Sequence, residues 1–314
     1  MTDTTVHTAQ PARWQDYVQL MKPRVMSLVV FTGLTGLVCA DTPIHPVLAA
    51  VAILCIAIGA GASGALNMWY DADIDGKMRR TRSRPVPAGK VQGADALALG
   101  IALSLLSCML MFIAIGWLAA SLLAFTILFY AIVYTMWLKR STPQNIVIGG
   151  LAGALPPVIG WAAAAHAVPL NAWLLCAIIF MWTPPHFWAL SLYTTSDYAK
   201  AGVPMMPVVK GAKSTRLQIL LYSLVLIPLC LAPALTGLGG KLYLGVSALG
   251  GAVFLLLAWR LFRSRAGDIV EGEDGLYSVK PDVRPARNLF AFSILYLFAL
   301  FAALLAEHSL GLAG

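Results

Sequence analysis

Long apolar runs, each closed by a short polar or basic stretch, recur along the chain. They predict helices at 25–41, 47–67, 94–115, 118–138, 146–165, 171–191, 216–237, 242–262 and 287–306, most near the roughly 20 residues needed to cross a bilayer. The N-terminus and the stretches after helices 2, 4, 6 and 8 hold 21 of the 22 lysines and arginines, leaving only Lys241 on the other side. A missed or invented helix would scramble this alternation. It therefore supports the helix count and an orientation with the N-terminus in the cytoplasm and the C-terminus outside. The segment SRAGDIVEGEDGLYSVKPDVRPAR after helix 8 is too hydrophilic to span. The expected fold is all-α: nine transmembrane helices bundled around a central cavity open toward the cytoplasmic face. Residues 1–24 are a cytoplasmic N-terminal segment, 25–306 a single transmembrane domain and 307–314 a short outer tail.

Composition fits this pattern. The chain is 59% hydrophobic and 11% charged, against about 25% charged in soluble proteins. Its net charge of +8 belongs to the loops and points away from nucleic acid. Cys39, Cys55, Cys108, Cys176 and Cys230 are scattered in apolar segments without metal spacing and read as small buried hydrophobes. The N-terminus lacks the features of a signal or transit peptide, so the first helix is expected to be retained and the membrane to be a bacterial inner membrane.

The polar residues that carry chemistry gather at the cytoplasmic ends of helices 2 and 6. In NMWYDADIDGKMRRTRSRPVPAG, Asn67, Asp71 and Asp75 recur at i, i+4 and i+8, one face of a helix, while Asp73 points elsewhere. Stacked carboxylates repel unless a cation compensates, and Mg²⁺ is held by one or two carboxylates together with substrate phosphates. Lys77, Arg79, Arg80, Arg82 and Arg84 follow, and arginine forks match phosphate oxygens. Metal-holding acid beside phosphate-holding base suits a diphosphate with a lipid tail. A lone DxxxD beside a basic loop would read as a solvated helix end, and the second cluster weakens that reading. After helix 6, Tyr193, Asp197 and Lys200 share one face, with Asp197 a further metal ligand and Lys200 a phosphate partner; Lys210, Lys213 and Arg216 add charge. Helices 2 and 6 thus hint at two related halves.

His186, in Thr183-Pro184-Pro185-His186, is an ionisable group at membrane depth and a functional candidate on that ground. It can ligate a metal-centred cofactor, act as a base, or cap a carbonyl freed where the two prolines break the helix. Trp69, Tyr70, Tyr134, Trp137, Trp182 and Tyr193 stand near the cytoplasmic ends, as pocket lining or as an interfacial belt. Gln144 and Asn145 follow Pro143, and Gly149, Gly150 and Gly153 permit close helix approach.

At NMWYDADIDGKMRRTRSRPVPAG, YTMWLKRSTPQNIVIGGLAGALPPVIGW and WTPPHFWALSLY followed by DYAKAGVPMMP, the chain resembles the heme O synthases, within the superfamily of intramembrane aromatic (UbiA) prenyltransferases. The likeness runs from about Lys22 to Arg216 and continues more loosely beyond. It implies transfer of the farnesyl group of farnesyl diphosphate to a vinyl group of heme b with addition of water, releasing diphosphate. It implies Asn67, Asp71 and Asp75 as the Mg²⁺–diphosphate array, Arg82, Arg84, Lys77 and Lys213 as its basic partners, and Tyr193, Asp197 and Lys200 as the second motif. His186 becomes a cofactor-binding residue on the heme side. Farnesyl diphosphate, heme b and the lipid bilayer are the implied partners, with heme A synthase or terminal-oxidase assembly factors as protein partners. Tyr193 replaces the Asp usual in the wider superfamily, which leaves one Mg²⁺ plus Lys200 or two Mg²⁺ open. The competing readings are a polyprenyltransferase acting on a quinone precursor or chlorin, a membrane transporter, and a heme-delivery protein without catalysis.

Overall fold

The structure, a computed structural model, describes residues 12–271, 277–279 and 282–312. Residues 1–11 and 313–314 of the expected end segments lie outside them. The apolar runs become α2 (Pro23–Val38), α3 (Pro46–Tyr70), α5 (Gly93–Ala114), α6 (Trp117–Ser141), α7 (Asn145–Ala165), α8 (Leu170–Tyr193), α10 (Met206–Leu235), α11 (Lys241–Arg263) and α12 (Arg284–Ser309). Short helices α1 (Trp14–Leu20), α4 (Ala72–Lys77) and α9 (Thr195–Lys200) lie between them. Eight of these helices are long and apolar enough to cross a membrane alone. A ninth span forms if α1 and α2, bent by 52° where they meet, are taken together. Each spanning helix packs on the next, and α12 returns to α2, which closes the bundle.

Several details depart from expectation. The helix after Trp117 winds as a π-helix over Phe129–Leu138. α8 runs unbroken through Pro184 and Pro185, so the prolines do not break it. α10 is interrupted at Gly211, whose positive φ of 77° is a conformation that favours glycine and separates the first turn from the rest. The hydrophilic segment after α11 forms a small antiparallel hairpin, β1 (Ile269–Glu271) with β2 (Tyr277–Val279), the one strand pairing among the described residues. The cysteines read as expected: four are buried, Cys108 is partly so, and none is bonded.

Backbone contact sets the packing of α2 on α7. A Cβ on Gly36 would overlap the Pro157 carbonyl, and one on Gly160 the Gly33 carbonyl. Membrane helices gain by such approach because lipid supplies no hydrophobic drive between them. At the end away from the basic loops, the buried Glu307 of α12 accepts hydrogen bonds from the backbone N–H groups of Gly240 (2.6 Å) and Tyr243 (3.0 Å). It thereby caps the positive N-terminus of α11. Among the sequence glycines, Gly149 abuts Tyr134 and Gly150 abuts Thr183, whereas nothing lies within 4 Å of a Cβ on Gly153.

Gly36→Leu and Gly160→Leu should each cost about 1–3 kcal/mol or more through overpacking, whereas Gly153→Ala should be tolerated. Thermal unfolding in detergent, followed by size-exclusion chromatography, checks this; equal melting of all three would overturn the backbone-contact account.

Candidate active site

α3 carries its apolar face to the edge of the bundle and there turns acidic. Asp71 sits at a kink (φ −88°, ψ 8°) between α3 and α4. Helical bonding persists across it: the Asp71 N–H donates to the Asn67 carbonyl (3.0 Å), and the Asp75 N–H to that of Asp71 (2.8 Å). Asn67, Asp71 and Asp75 therefore do share a face, and all three are buried. Asp73 points outward, as expected, and bonds Arg140 at 2.7 and 2.9 Å. That guanidinium holds the Asp73 carboxyl below its usual range. Arg140 also covers the Tyr70 ring at 4.7 Å, and Trp137 is exposed.

Each array residue meets a different cation. Lys22, in left-handed backbone (φ 55°) at the α1–α2 bend, donates to Asn67 Oδ1 at 2.5 Å. Lys139 bonds Asp71 Oδ2. Arg84 bonds Asp75 Oδ2 at 2.6 Å. Asn67 Nδ2 donates to Asp71 Oδ2 (2.7 Å) and to Thr135 Oγ1 (3.1 Å). The other oxygens, Asp71 Oδ1 and Asp75 Oδ1, are buried with no hydrogen-bond donor; Arg140 Nη2 stands 3.6 Å from Asp71 Oδ1, an ion pair too long for a hydrogen bond. A buried carboxylate oxygen left so is costly, and acceptor-only oxygens of this kind fit a hard divalent cation. Of the four metal ligands expected from the sequence, the structure brings together Asn67, Asp71 and Asp75. Asp197 does not join them: among the described residues no three Asp, Glu, His or Cys side chains form a metal-binding group.

The second motif is reshaped by a break at Thr194 (φ −120°) between α8 and α9. Tyr193 is half-buried, its ring edge-on to Phe290 at 6.1 Å. Asp197 is half-buried and Lys200 exposed. Lys77, Arg82, Lys200 and Lys213 make no ion pair among the described residues. The buried residue of α9 facing the first motif is instead Tyr198, whose phenol burial pushes upward against the pull of Arg80. Tyr198, Val203 and Met205 pack with Ile74 and Met78 of the first motif and with Ile146 of α7. The two acidic loops are thus clasped together at one end of the bundle by apolar side chains. Arg216 is spent elsewhere, on the Ala266 carbonyl (2.6 Å) and Asp268 (2.8 Å).

His186 is buried in α8 between the faces of Trp182 (4.2 Å) and Phe290 (4.6 Å). Its Nδ1 lies 2.7 Å from Ser293 Oγ of α12. The residues that the sequence did not single out are Lys22, Thr135, Lys139, Arg140 and Tyr198. The signal for the cations was their place at helix ends beside the acidic motif, already accounted for by the loop-charge bias.

The UbiA prenyltransferase family model matches residues 29–269. A protoheme IX farnesyltransferase of Caulobacter vibrioides is 72% identical, the match covering 97% of this chain and 94% of that one. One of Maricaulis maris is 61% identical over 98% and 92%. Among solved structures, a digeranylgeranylglyceryl phosphate synthase superposes with a TM-score of 0.74 at 16% identity, covering 94% of this chain and 98% of that one. A UbiA homologue from Archaeoglobus fulgidus, bound to GPP and Mg²⁺, gives 0.60 at 17% identity over 92% and 99%. The bundle is the one these structures share, and the chain belongs to the UbiA prenyltransferase family.

Proposed function

We propose that this chain is a protoheme IX farnesyltransferase, joining farnesyl diphosphate, heme b and water into heme O and diphosphate. The observation that carries the reading is the buried Asn67–Asp71–Asp75 array with two donorless carboxylate oxygens, in a chain so similar to proteins of that name. Asn67, Asp71 and Asp75 would hold Mg²⁺; Asp197, which stands apart from them in the second motif, would have to move toward the first motif to add a fourth oxygen. When bound, Mg²⁺ supplies positive charge to the diphosphate oxygens.

The chain's own residues do the rest. Lys22, Lys139 and Arg84, each tied to an array residue here, turn their N–H groups to diphosphate oxygens, and Lys77, Arg82, Lys200 and Lys213 add free cations at the rim. They stabilise the charge that develops as the allylic C–O bond breaks. The farnesyl carbon then bonds the terminal vinyl carbon of heme b, and water adds through its oxygen to the neighbouring carbon, its proton passing to the released diphosphate. Tyr193 stands at the second motif's edge of the site, and His186 belongs to the porphyrin side. The basic end faces the cytoplasm of a bacterial inner membrane, which agrees with 21 of 22 basic residues lying on that side.

Purified protein given heme b, farnesyl diphosphate and Mg²⁺ should yield a porphyrin heavier by one farnesyl group and one hydroxyl group, read by mass spectrometry. Asp71→Ala and Asp75→Ala should lower turnover by about 100-fold or more. Product from a quinone precursor but none from heme b would sink the assignment.

Lys139→Met leaves the buried Asp71 carboxylate short of its principal cation, a change worth about 3–5 kcal/mol in buried pairs. Without Mg²⁺ its melting temperature should fall below wild type, and Mg²⁺ should restore more stability to the variant than it adds to wild type. Equal Mg²⁺ responses would show that no cation binds beside Asp71.

A further inference from the structure

The hydrogen bonds around His186 fix which ring nitrogen is free. Ser293 Oγ lies 2.6 Å from the Phe290 carbonyl and 2.7 Å from His186 Nδ1. The hydroxyl has one proton. If it went to Nδ1, two oxygens with no proton between them would face each other at 2.6 Å. The proton therefore goes to the Phe290 carbonyl, and Nδ1–H donates to Ser293 Oγ. In the neutral ring this leaves Nε2 with its lone pair in the ring plane. Nε2 has no hydrogen-bond partner among the described residues and is not among the sealed, unpartnered polar atoms.

The remaining surfaces of the imidazole are occupied. Trp182 stacks on one side at 18° and Phe290 on another at 22°. Trp182 is itself fixed, its Nε1–H donating to the Ser293 carbonyl at 2.8 Å. Ser293 thus holds both the histidine and the indole beside it. The ring can neither tip nor offer its face, and only the Nε2 edge is available. A metal-ligating histidine usually donates its other ring N–H to a carboxylate, carbonyl or water that fixes the tautomer and aims the free nitrogen; here the Ser293 hydroxyl oxygen takes that part. Stacked imidazole with an in-plane lone pair suits a metal ion approached along the ring plane, as at the centre of a porphyrin. It suits a proton acceptor for water less well, because the apolar stack gives water little to bond. His186 precedes Tyr193 by seven residues of α8, about 10 Å, and Phe290 touches both rings. An acceptor held there by its centre would keep its rim toward the second motif.

We infer that His186 Nε2 is an axial ligand to the iron of the porphyrin acceptor, with Ser293 as the positioning residue that holds its tautomer. This rests on the reading that heme b is the substrate. The test adds ferric heme b to the purified full chain in nanodiscs without Mg²⁺ or prenyl diphosphate, and records absorption and electron paramagnetic resonance. Wild type should show a nitrogen-ligated iron. His186→Ala should lose that signature and regain it with added imidazole, while retaining Mg²⁺-dependent binding of farnesyl diphosphate by calorimetry as proof of folding. His186→Gln should behave as His186→Ala. Ser293→Ala should weaken heme affinity by about tenfold, with the ligand spectrum still present in saturated protein. Zinc-free, iron-free protoporphyrin should bind wild type and His186→Ala alike. If heme binds wild type and His186→Ala with one and the same spectrum, the ligand assignment is wrong and the substrate reading stands. If wild type binds no heme, the substrate reading itself falls.

Discussion

Two carboxylates buried at the edge of a membrane are the constraint around which the rest of the structure is arranged. Asp71 and Asp75 are fully buried, and an ionised carboxylate taken from water must be paired or must coordinate a cation. Each is hydrogen-bonded on one oxygen only, and from a different part of the chain; Asp71 Oδ1 has Arg140 Nη2 at 3.6 Å as an ion pair without a hydrogen bond. Lys139 comes from α6 and Arg84 from the turn after α4, while Lys22 at the α1–α2 bend reaches the neighbouring Asn67. Satisfying the acids therefore ties three separate segments to the end of α3. The left-handed backbone at Lys22 is a cost of that arrangement: a non-glycine residue is strained there by about 1–3 kcal/mol. Gly61 and Gly64 help to offset it, since the chain at Leu20–Met21 lies directly on the backbone of α3 where they stand.

Pairing one oxygen and leaving the other bare is poor design for stability and good design for binding. A pair closed on both sides would make the acids structural. Under the proposed function, the half-satisfied acids would keep affinity for a further cation, and the cationic side chains already beside them would supply charge for an anion brought with it. The apolar clasp of Ile74, Met78, Ile146, Tyr198, Val203 and Met205 does separate work. It holds the second loop against the first without using its charged groups, and Asp197 and Lys200 make no ion pair among the described residues.

Much of this was legible in the sequence, and for identifiable reasons. Span positions follow from apolar run length, and the shared face of Asn67, Asp71 and Asp75 follows from helical spacing, which survived the kink at Asp71 because the i to i−4 bonds continue through it. The same spacing argument was less informative for Tyr193, Asp197 and Lys200, because Thr194 interrupts the helix between them. Partners distant in sequence were not legible: Lys22 lies 45 residues from Asn67, and Lys139 lies 68 from Asp71. Their charge was visible, yet a basic residue at a helix end is already explained by orientation in the membrane. The expectation that Pro184 and Pro185 break α8 failed because neighbouring helices and side chains support a proline-bearing helix in a membrane.

The π-helical stretch of α6 shows how local irregularity serves the site. Thr135 and Lys139 are four residues apart on α6, as Asn67 and Asp71 are on α3, and they pair rung by rung. Thr135 is held by its own hydroxyl, which donates to the Tyr130 carbonyl five residues back at 2.8 Å. In π winding the backbone bonds span five residues rather than four. Each extra residue so absorbed shifts the following side chains by one position, about 100° of an α-helix. Ordinary winding through Phe129–Leu138 would swing Lys139 off the face that meets α3 and take from the Asp71 carboxylate its shortest ion pair. The irregular turn is thus where α6 trades backbone regularity for alignment, and the alignment is demanded by the buried acid on the helix opposite.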